Sequence, residues 1–167
     1  GIWSARSTEQ VHRQLQTLEQ SLFPLSVTLA RLDNVVQSQN VTADYLTDPS
    51  DGKAVILCRE QAKSQAVAAD TLLAKAMKYR SRGADLAVME RNKLALARLE
   101  PMIQELAYQE KRLSQMTGRA CEKQADAVQL DESKLQAAQV YRLTESISME
   151  INDFVMVGAR VVAENQE

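Results

Sequence analysis

The only histidine of the chain, His12, is the first residue to test for chemistry, because imidazole serves both as a metal ligand and as a general base. It lies three residues after Glu9, and a Glu-x-x-His pair on a helix can supply two ligands to a metal ion. A di-iron site in a helical bundle needs two such pairs, and the second histidine is missing. We therefore interpret Glu9 and His12 as part of a solvated helix face, and expect no metal site.

Other catalytic patterns are equally incomplete. A catalytic triad would have to use His12, and no nucleophile turn lies near it. The 5 glycines are scattered singly, so no phosphate-binding loop is indicated. The carboxylates Glu90, Glu100, Glu105 and Glu110 are interspersed with Lys and Arg, as is typical of solvated helix faces with ion pairs three or four residues apart. We expect no catalytic residues, no cofactor and no enzymatic activity.

The two cysteines, Cys58 and Cys121, are too few for a disulfide framework. In a straight helical hairpin turning near residue 82, Cys58 faces roughly residue 106, which leaves Cys121 on the order of 20 Å away at helical rise. That distance is too long for a disulfide, unless a kink at Pro101 changes the path. We interpret both as small buried apolar groups, and a reducing cytoplasm is then the default compartment.

Composition predicts an all-α fold. Only 5 Gly and 3 Pro interrupt 167 residues, and an all-β protein needs many more turns. The formal net charge is -2, so nucleic acid is not an expected partner. No apolar run approaches the roughly 20 residues that cross a bilayer. We predict one helical domain over residues 1–167, with a long antiparallel helical hairpin inside a four-helix bundle or a coiled-coil arrangement.

The helix boundaries follow from local signals. Ser7 and Gln10 form a capping box at the start of the first helix, Gly83 ends the second, and Asp131 caps the fourth. Pro24 is expected to kink the first helix or to stop and restart it. The predicted helices span about 7–46, 53–80, 84–128 and 131–163, with a linker over 47–52.

An apolar seam in the first helix repeats at alternating spacings of four and three residues, as in a heptad pattern. Such a seam must be buried, either within one chain in a four-helix bundle or between chains in a coiled-coil dimer or polymer. Both arrangements require the same pattern, so both stay open. The candidate assembly seam consists of Val11, Leu15, Leu18, Leu22, Leu25, Leu29, Leu32 and Val36.

Two further features are candidates for contact with a membrane. Basic residues cluster near the predicted hairpin tip, which is either a solvated surface of mixed charge or a contact for anionic lipid or an acidic partner. The N-terminus begins with bulky Ile2 and Trp3, which form either a packed end or tag remnant, or a short anchor in a membrane interface. The basic positions are Lys75, Lys78, Arg80 and Arg82.

The stretch AKAMKYRSRGADLA, residues 74–87, resembles the hairpin tip of the ESCRT-III superfamily, which includes phage-shock protein A. Gly1-Ile2-Trp3 also resembles the Gly-aliphatic-aromatic start of several members. The resemblance implies a non-enzymatic membrane-remodelling protein that polymerises through its hairpin and presses a basic surface onto anionic membrane. It places Ile2 and Trp3 at an insertion point, and it makes Lys75, Lys78, Arg80 and Arg82 the basic positions near the tip.

We therefore predict a non-catalytic helical scaffold that self-assembles or binds protein partners, with ESCRT-III-like membrane remodelling as its sharper form. The alternative is a helical-bundle adaptor or secretion-type chaperone that binds a partner protein in a groove and has no membrane role. The expected location is the cytoplasm, including its membrane surfaces.

Overall fold

A computed structural model describes residues 2–45, 50–122 and 126–166, with the side chains of 2–7, 45, 161–162 and 165–166 outside the description. These residues form four helical rods that run alternately up and down, so the predicted all-α fold with an antiparallel hairpin in a four-helix bundle is confirmed. In chain order the elements are α1 (Ile2–Thr17), a π-helical turn (Leu18–Leu22), α2 (Phe23–Tyr45), α3 (Gly52–Leu86), α4 (Glu90–Glu122) and α5 (Ala127–Gln166).

The bundle is a square of rods in which sequence neighbours pack side by side. The rod formed by α1 and α2 packs against both α3 and α5, and α4 also packs against both, so α3 and α5 lie at opposite corners. The core between the rods is aliphatic, as the low aromatic content requires. Its largest fully buried apolar side chains are Leu22, Leu25, Leu29, Leu32, Val36, Leu96, Ile103, Leu106, Leu113 and Ile147.

The π-helical turn explains how the first rod tolerates Pro24. Proline has no N–H and its ring clashes with the carbonyl of the preceding turn in a regular α-helix. Here the chain widens just before the proline, and the Phe23 N–H donates to the Leu18 carbonyl five residues back. Helix α2 then continues through Pro24 to Tyr45. The rod also begins at Ile2, so Ser7 and Gln10 lie inside α1 and do not cap it.

The turn of the α3–α4 hairpin lies six residues beyond the predicted one. Helix α3 does not end at Gly83 but continues to Leu86, and no described glycine has a positive φ angle. Gly83 serves packing instead, since a Cβ there would meet Ser21 Oγ and lie 2.8 Å from Leu96 Cδ2. The chain therefore turns at residues 87–89, and α4 begins at Glu90.

The displaced turn corrects the prediction for the cysteines. Cys58 and Cys121 form a disulfide, with their Cα atoms 5.4 Å apart. A hairpin that turns near residue 88 sets Cys58 opposite Gly118, one helical turn from Cys121. Pro101 lies inside an unbroken α4 and does not change this register. The expectation of two unpaired thiols was wrong because it rested on the misplaced turn.

Of the two remaining connections, the one before α3 lies within one residue of the predicted linker, whereas the one before α5 lies earlier than predicted. Residues 47–49 of the predicted 47–52 linker lie outside the described residues, and Asp51 caps α3 by accepting hydrogen bonds from the Lys53 and Ala54 N–H groups. Asp126, not Asp131, caps α5, because its Oδ1 accepts from the Gln129 N–H at 2.8 Å while Gln129 Oε1 accepts from the Asp126 N–H. This reciprocal pair is a capping box.

Candidate interaction surfaces

The predicted assembly seam is divided by the π-helical turn. Five of its residues, from Leu22 to Val36, are fully buried in the core of this chain. Of the other three, Val11 and Leu15 precede the turn and Leu18 begins it; Val11 and Leu18 are half-buried and Leu15 is 49% exposed. The π-helical turn contains one residue more than an α-helical turn, so the residues before it are rotated about the helix axis. The face that points into the core therefore shifts by one position. The residues that face inward here are Gln14 and Thr17 before the turn and Ser21 within it.

The basic residues of the predicted tip lie along helix α3 and not at its end. Lys75 and Lys78 are exposed, and neither makes an ion pair within the described part of the chain. The Arg80 side chain is only 11% exposed and lies 3.7 Å from Glu100. Arg82 donates two hydrogen bonds to Gln20 Oε1, at 2.7 and 3.2 Å. Two of the four basic side chains are therefore engaged within the bundle.

The true tip of the hairpin is apolar. Val88 is 59% exposed, beside the buried Ala87 and the half-buried Met89. Ile2 and Trp3, the other predicted membrane contacts, lie in the first turn of α1, and their side chains are outside the described residues. A groove of about 200 Å³ between α1 and the tip is lined by Glu9, Val88 and others. Its volume is below the roughly 300–1,000 Å³ typical of small-molecule sites.

A second apolar stripe, which the sequence analysis missed, runs along the outer face of α5. It comprises large side chains at intervals of seven residues, interrupted once by Arg142. These side chains are 60–68% exposed, and the α5 residues that face the core, such as Val140 and Ile147, are on the opposite side. The outer stripe of α5 consists of Val128, Leu135, Met149 and Met156.

The signal for this stripe is present in the sequence. Residues 128, 135, 149 and 156 share one heptad position, and heptad repeats of large apolar residues are typical of helix–helix contacts between chains. The inward face of the same helix carries a separate apolar row, formed by Val140, Leu143, Ile147, Ile151 and Phe154. A helix with apolar stripes on two faces has more apolar surface than its own bundle can cover.

Polar layers cross the core and position the rods. Gln39 Nε2 donates to Glu110 Oε1 at 2.9 Å and to Ser114 Oγ at 3.0 Å, and the Ser114 hydroxyl donates to the same carboxylate oxygen. Burial raises the pKa of the Glu110 carboxyl, partly opposed by the hydrogen bonds from Gln39 and Ser114 and aided by the charge of Asp70. This arrangement of one carboxyl among amides and hydroxyls fixes the register of α2 against α4.

A second polar contact joins α2 to α5. The Thr144 hydroxyl donates to Asp33 Oδ1 at 2.8 Å. Burial raises the pKa of Asp33, and burial together with the Asp33 charge raises the pKa of the Tyr141 phenol. Both buried carboxyls therefore work as structural contacts between rods.

The residues first considered for metal binding are not brought into a site. Glu9 and His12 are both exposed on α1. Over residues 2–45, 50–122 and 126–166, no group of three or more His, Cys, Asp or Glu side chains is arranged to hold a metal ion. Within the same residues, no helix is both long and apolar enough to cross a membrane.

Comparisons with known proteins identify no relative. No family model matches the chain, and neither a curated protein nor a solved structure matches it significantly.

Proposed function

We propose that this chain is a non-catalytic helical scaffold that binds protein through the outer stripe of α5. The observation that carries the proposal is the exposure of Val128, Leu135, Met149 and Met156 at heptad spacing, on a helix whose opposite face already completes the core. Large exposed apolar side chains that repeat along one face of a helix are typical of a contact with another helix. A partner helix can insert its own apolar side chains between these residues, as in a coiled coil.

Site-specific photocrosslinking in the cell tests this role. A photoreactive amino acid at Leu135 or Met149 is expected to give covalent adducts with protein. The same amino acid at Tyr108, which is equally exposed on α4, serves as the matched control and is expected to give few adducts. Equal, background-level labelling at all three positions would contradict the proposal.

A membrane contact is the second candidate function. It is favoured by the exposed lysines Lys75 and Lys78 on α3, and by exposed Val88 at the end of the bundle where α1 begins. Exposed basic groups along α3, together with an apolar tip beyond its end, suit a contact with anionic lipid. Co-sedimentation with anionic vesicles that is lost at high salt, and lost in the Lys75→Glu/Lys78→Glu variant, is the expected result. Failure to sediment with anionic vesicles at low salt would exclude this function.

The disulfide also bears on the compartment in which the protein works. The cytoplasmic prediction depended on two unpaired thiols, whereas Cys58 and Cys121 are joined. Disulfides persist in oxidising compartments and are rare in the cytosol. We infer that the protein functions in an oxidising compartment. Rapid acid quenching of native cells, followed by thiol alkylation and mass spectrometry, is expected to find both cysteines protected; alkylated cysteines would contradict the inference.

A further inference from the structure

We propose that the partner of the α5 stripe is a second copy of this chain, which presents the outer face of α3. This inference rests on the proposed function and names the partner of the same surface. Because α3 and α5 lie at opposite corners of the bundle, one copy can use both faces at the same time. Each copy then contacts one neighbour through α5 and another through α3.

The charges of α3 and α5 are complementary. Helix α3 carries seven basic and three acidic residues, whereas α5 carries six acidic and three basic residues. Most of these side chains are exposed. Contact between two α5 faces would bring acidic surfaces together, and contact between two α3 faces would bring basic surfaces together. Of these three pairings, only α5 against α3 brings opposite charges together. Complementary charge of this kind sets partner choice and orientation at helical interfaces.

The side chains also differ in size in a complementary way. The α5 stripe presents large residues, while the exposed face of α3 includes the small residues Ser64, Thr71 and Ala74. Small residues let a neighbouring helix approach closely and receive large side chains between them. Exposed Ile56 and Val67 on α3 add apolar area to the same contact.

The heights of the two faces match without any sliding of one copy along the other. Arg80 of α3 contacts Glu100 of α4. Arg98, close to Glu100 on α4, contacts Glu150 of α5. Positions about 70 residues apart in α3 and α5 therefore lie at the same height along the bundle. To within one helical turn, Val67 is level with Leu135. By the same measure, two exposed lysines of α3 are level with acidic residues of α5, namely Lys63 with Asp131 and Lys78 with Glu145.

This geometry makes an open assembly. The two surfaces in contact are different, so the interface is heterologous, and such interfaces build filaments or rings and not closed two-fold dimers. The number of copies is then set by concentration. Because charge contributes to the match, the assembly is expected to weaken as salt screens the surface.

A charge-exchange experiment with light scattering tests this arrangement. Lys63→Glu/Lys78→Glu reverses the two α3 charges at this contact and leaves the helix without net charge, and Asp131→Lys/Glu145→Lys reverses the two facing α5 charges. Each variant alone is expected to stay monomeric at concentrations where the wild-type chain forms larger species. An equimolar mixture is expected to assemble again, because the two new glutamates on α3 of one variant now face the two new lysines on α5 of the other.

The control variant, Arg31→Glu/Lys111→Glu, reverses two exposed charges on α2 and α4 and is expected to assemble like the wild type. Circular dichroism checks that every variant is folded. The proposal is overturned if the wild-type chain is monomeric at all concentrations, if both charge variants assemble alone, or if their mixture stays monomeric. A monomeric chain whose Leu135 position crosslinks to a different protein would overturn self-assembly and leave the proposed function standing.

Discussion

The two ends of the bundle are held together by different means. At the end where α3 begins and α4 finishes, a covalent bond joins Cys58 to Cys121. At the opposite end the rods approach closely, with Gly83 against Ser21 and Leu96, and Gly158 against Gln14. The first end gains stability by restricting the unfolded chain, whereas the second depends on the absence of side chains at two positions in the folded state.

The largest expected effect on stability comes from removing the disulfide. The disulfide closes a loop with a sequence separation of 63 residues, for which loop entropy predicts about 4 kcal/mol of stabilisation. Cys58→Ser/Cys121→Ser is expected to lower the free energy of unfolding by that order, as measured by denaturant titration. Reductant should destabilise the wild type and leave the double variant unchanged. Equal stability of the two chains under oxidising conditions would contradict a structural role for the bond.

A smaller loss is expected from filling the close-packed end. In Gly83→Ala the new Cβ meets Ser21 Oγ and Leu96, and overpacking of this kind typically costs about 1–3 kcal/mol. Gly118→Ala is the matched control, because nothing lies within 4 Å of its Cβ position in α4. That variant is expected to gain up to about 1 kcal/mol from helix propensity. Equal thermal shifts for the two variants would show that the close approach at Gly83 is not required.

The polar layer between the two ends should give a pH-dependent effect. Burial raises the pKa of Glu110 above its ordinary 4.5, so the folded state holds this proton more tightly than the unfolded chain. The resulting stability is fully present below the unfolded pKa and is lost as the pH rises through the raised folded pKa. Glu110→Gln keeps an oxygen acceptor for Gln39 and removes the charge.

We therefore expect Glu110→Gln to melt about 2–4 °C higher than the wild type at pH 7, the shift that roughly 1 kcal/mol produces in a domain of this size. The difference should shrink as the pH falls towards 4.5. Thermal denaturation monitored by circular dichroism across this pH range measures it. A variant that melts below the wild type at pH 7 would indicate that the ionised carboxylate stabilises the contact between α2 and α4.

The smallest effect on folding is expected on the outer face of α5. Leu135→Ser/Met149→Ser changes two side chains that are at least 60% exposed, and surface substitutions usually alter stability by no more than about 0.5 kcal/mol each. Thermal denaturation at a concentration where the chain is monomeric should find little change. A large loss would mean that the stripe packs inside the folded monomer and is not an association surface.

The fold class and most of the core were predictable from the sequence, but the predicted position of the hairpin turn was wrong because of a single glycine. The heptad spacing from Leu22 to Val36 marks buried residues because core packing and helix periodicity agree there. Gly83 was interpreted as a helix end, although its function is close packing against Ser21, which no local pattern reveals. Because of that error, the predicted turn lay six residues too early, and Cys58 and Cys121 were expected to lie far apart.

The candidate surfaces were partly accessible from sequence. The basic residues on α3 and the period of seven on α5 are visible in the amino-acid order. The inward rotation of Gln14 and Thr17 is not, because it depends on where the helix widens before Pro24. The partners that Arg80 and Arg82 find within the bundle likewise depend on tertiary contacts between rods.

Sedimentation velocity tests whether the outer stripe of α5 is an association surface of the folded bundle. The wild-type chain and Leu135→Ser/Met149→Ser are compared over the same concentration series, with the disulfide intact. We expect the wild type to form species that grow with concentration, while the variant sediments as an 18.6 kDa monomer. Identical sedimentation of the two chains across the series would contradict it.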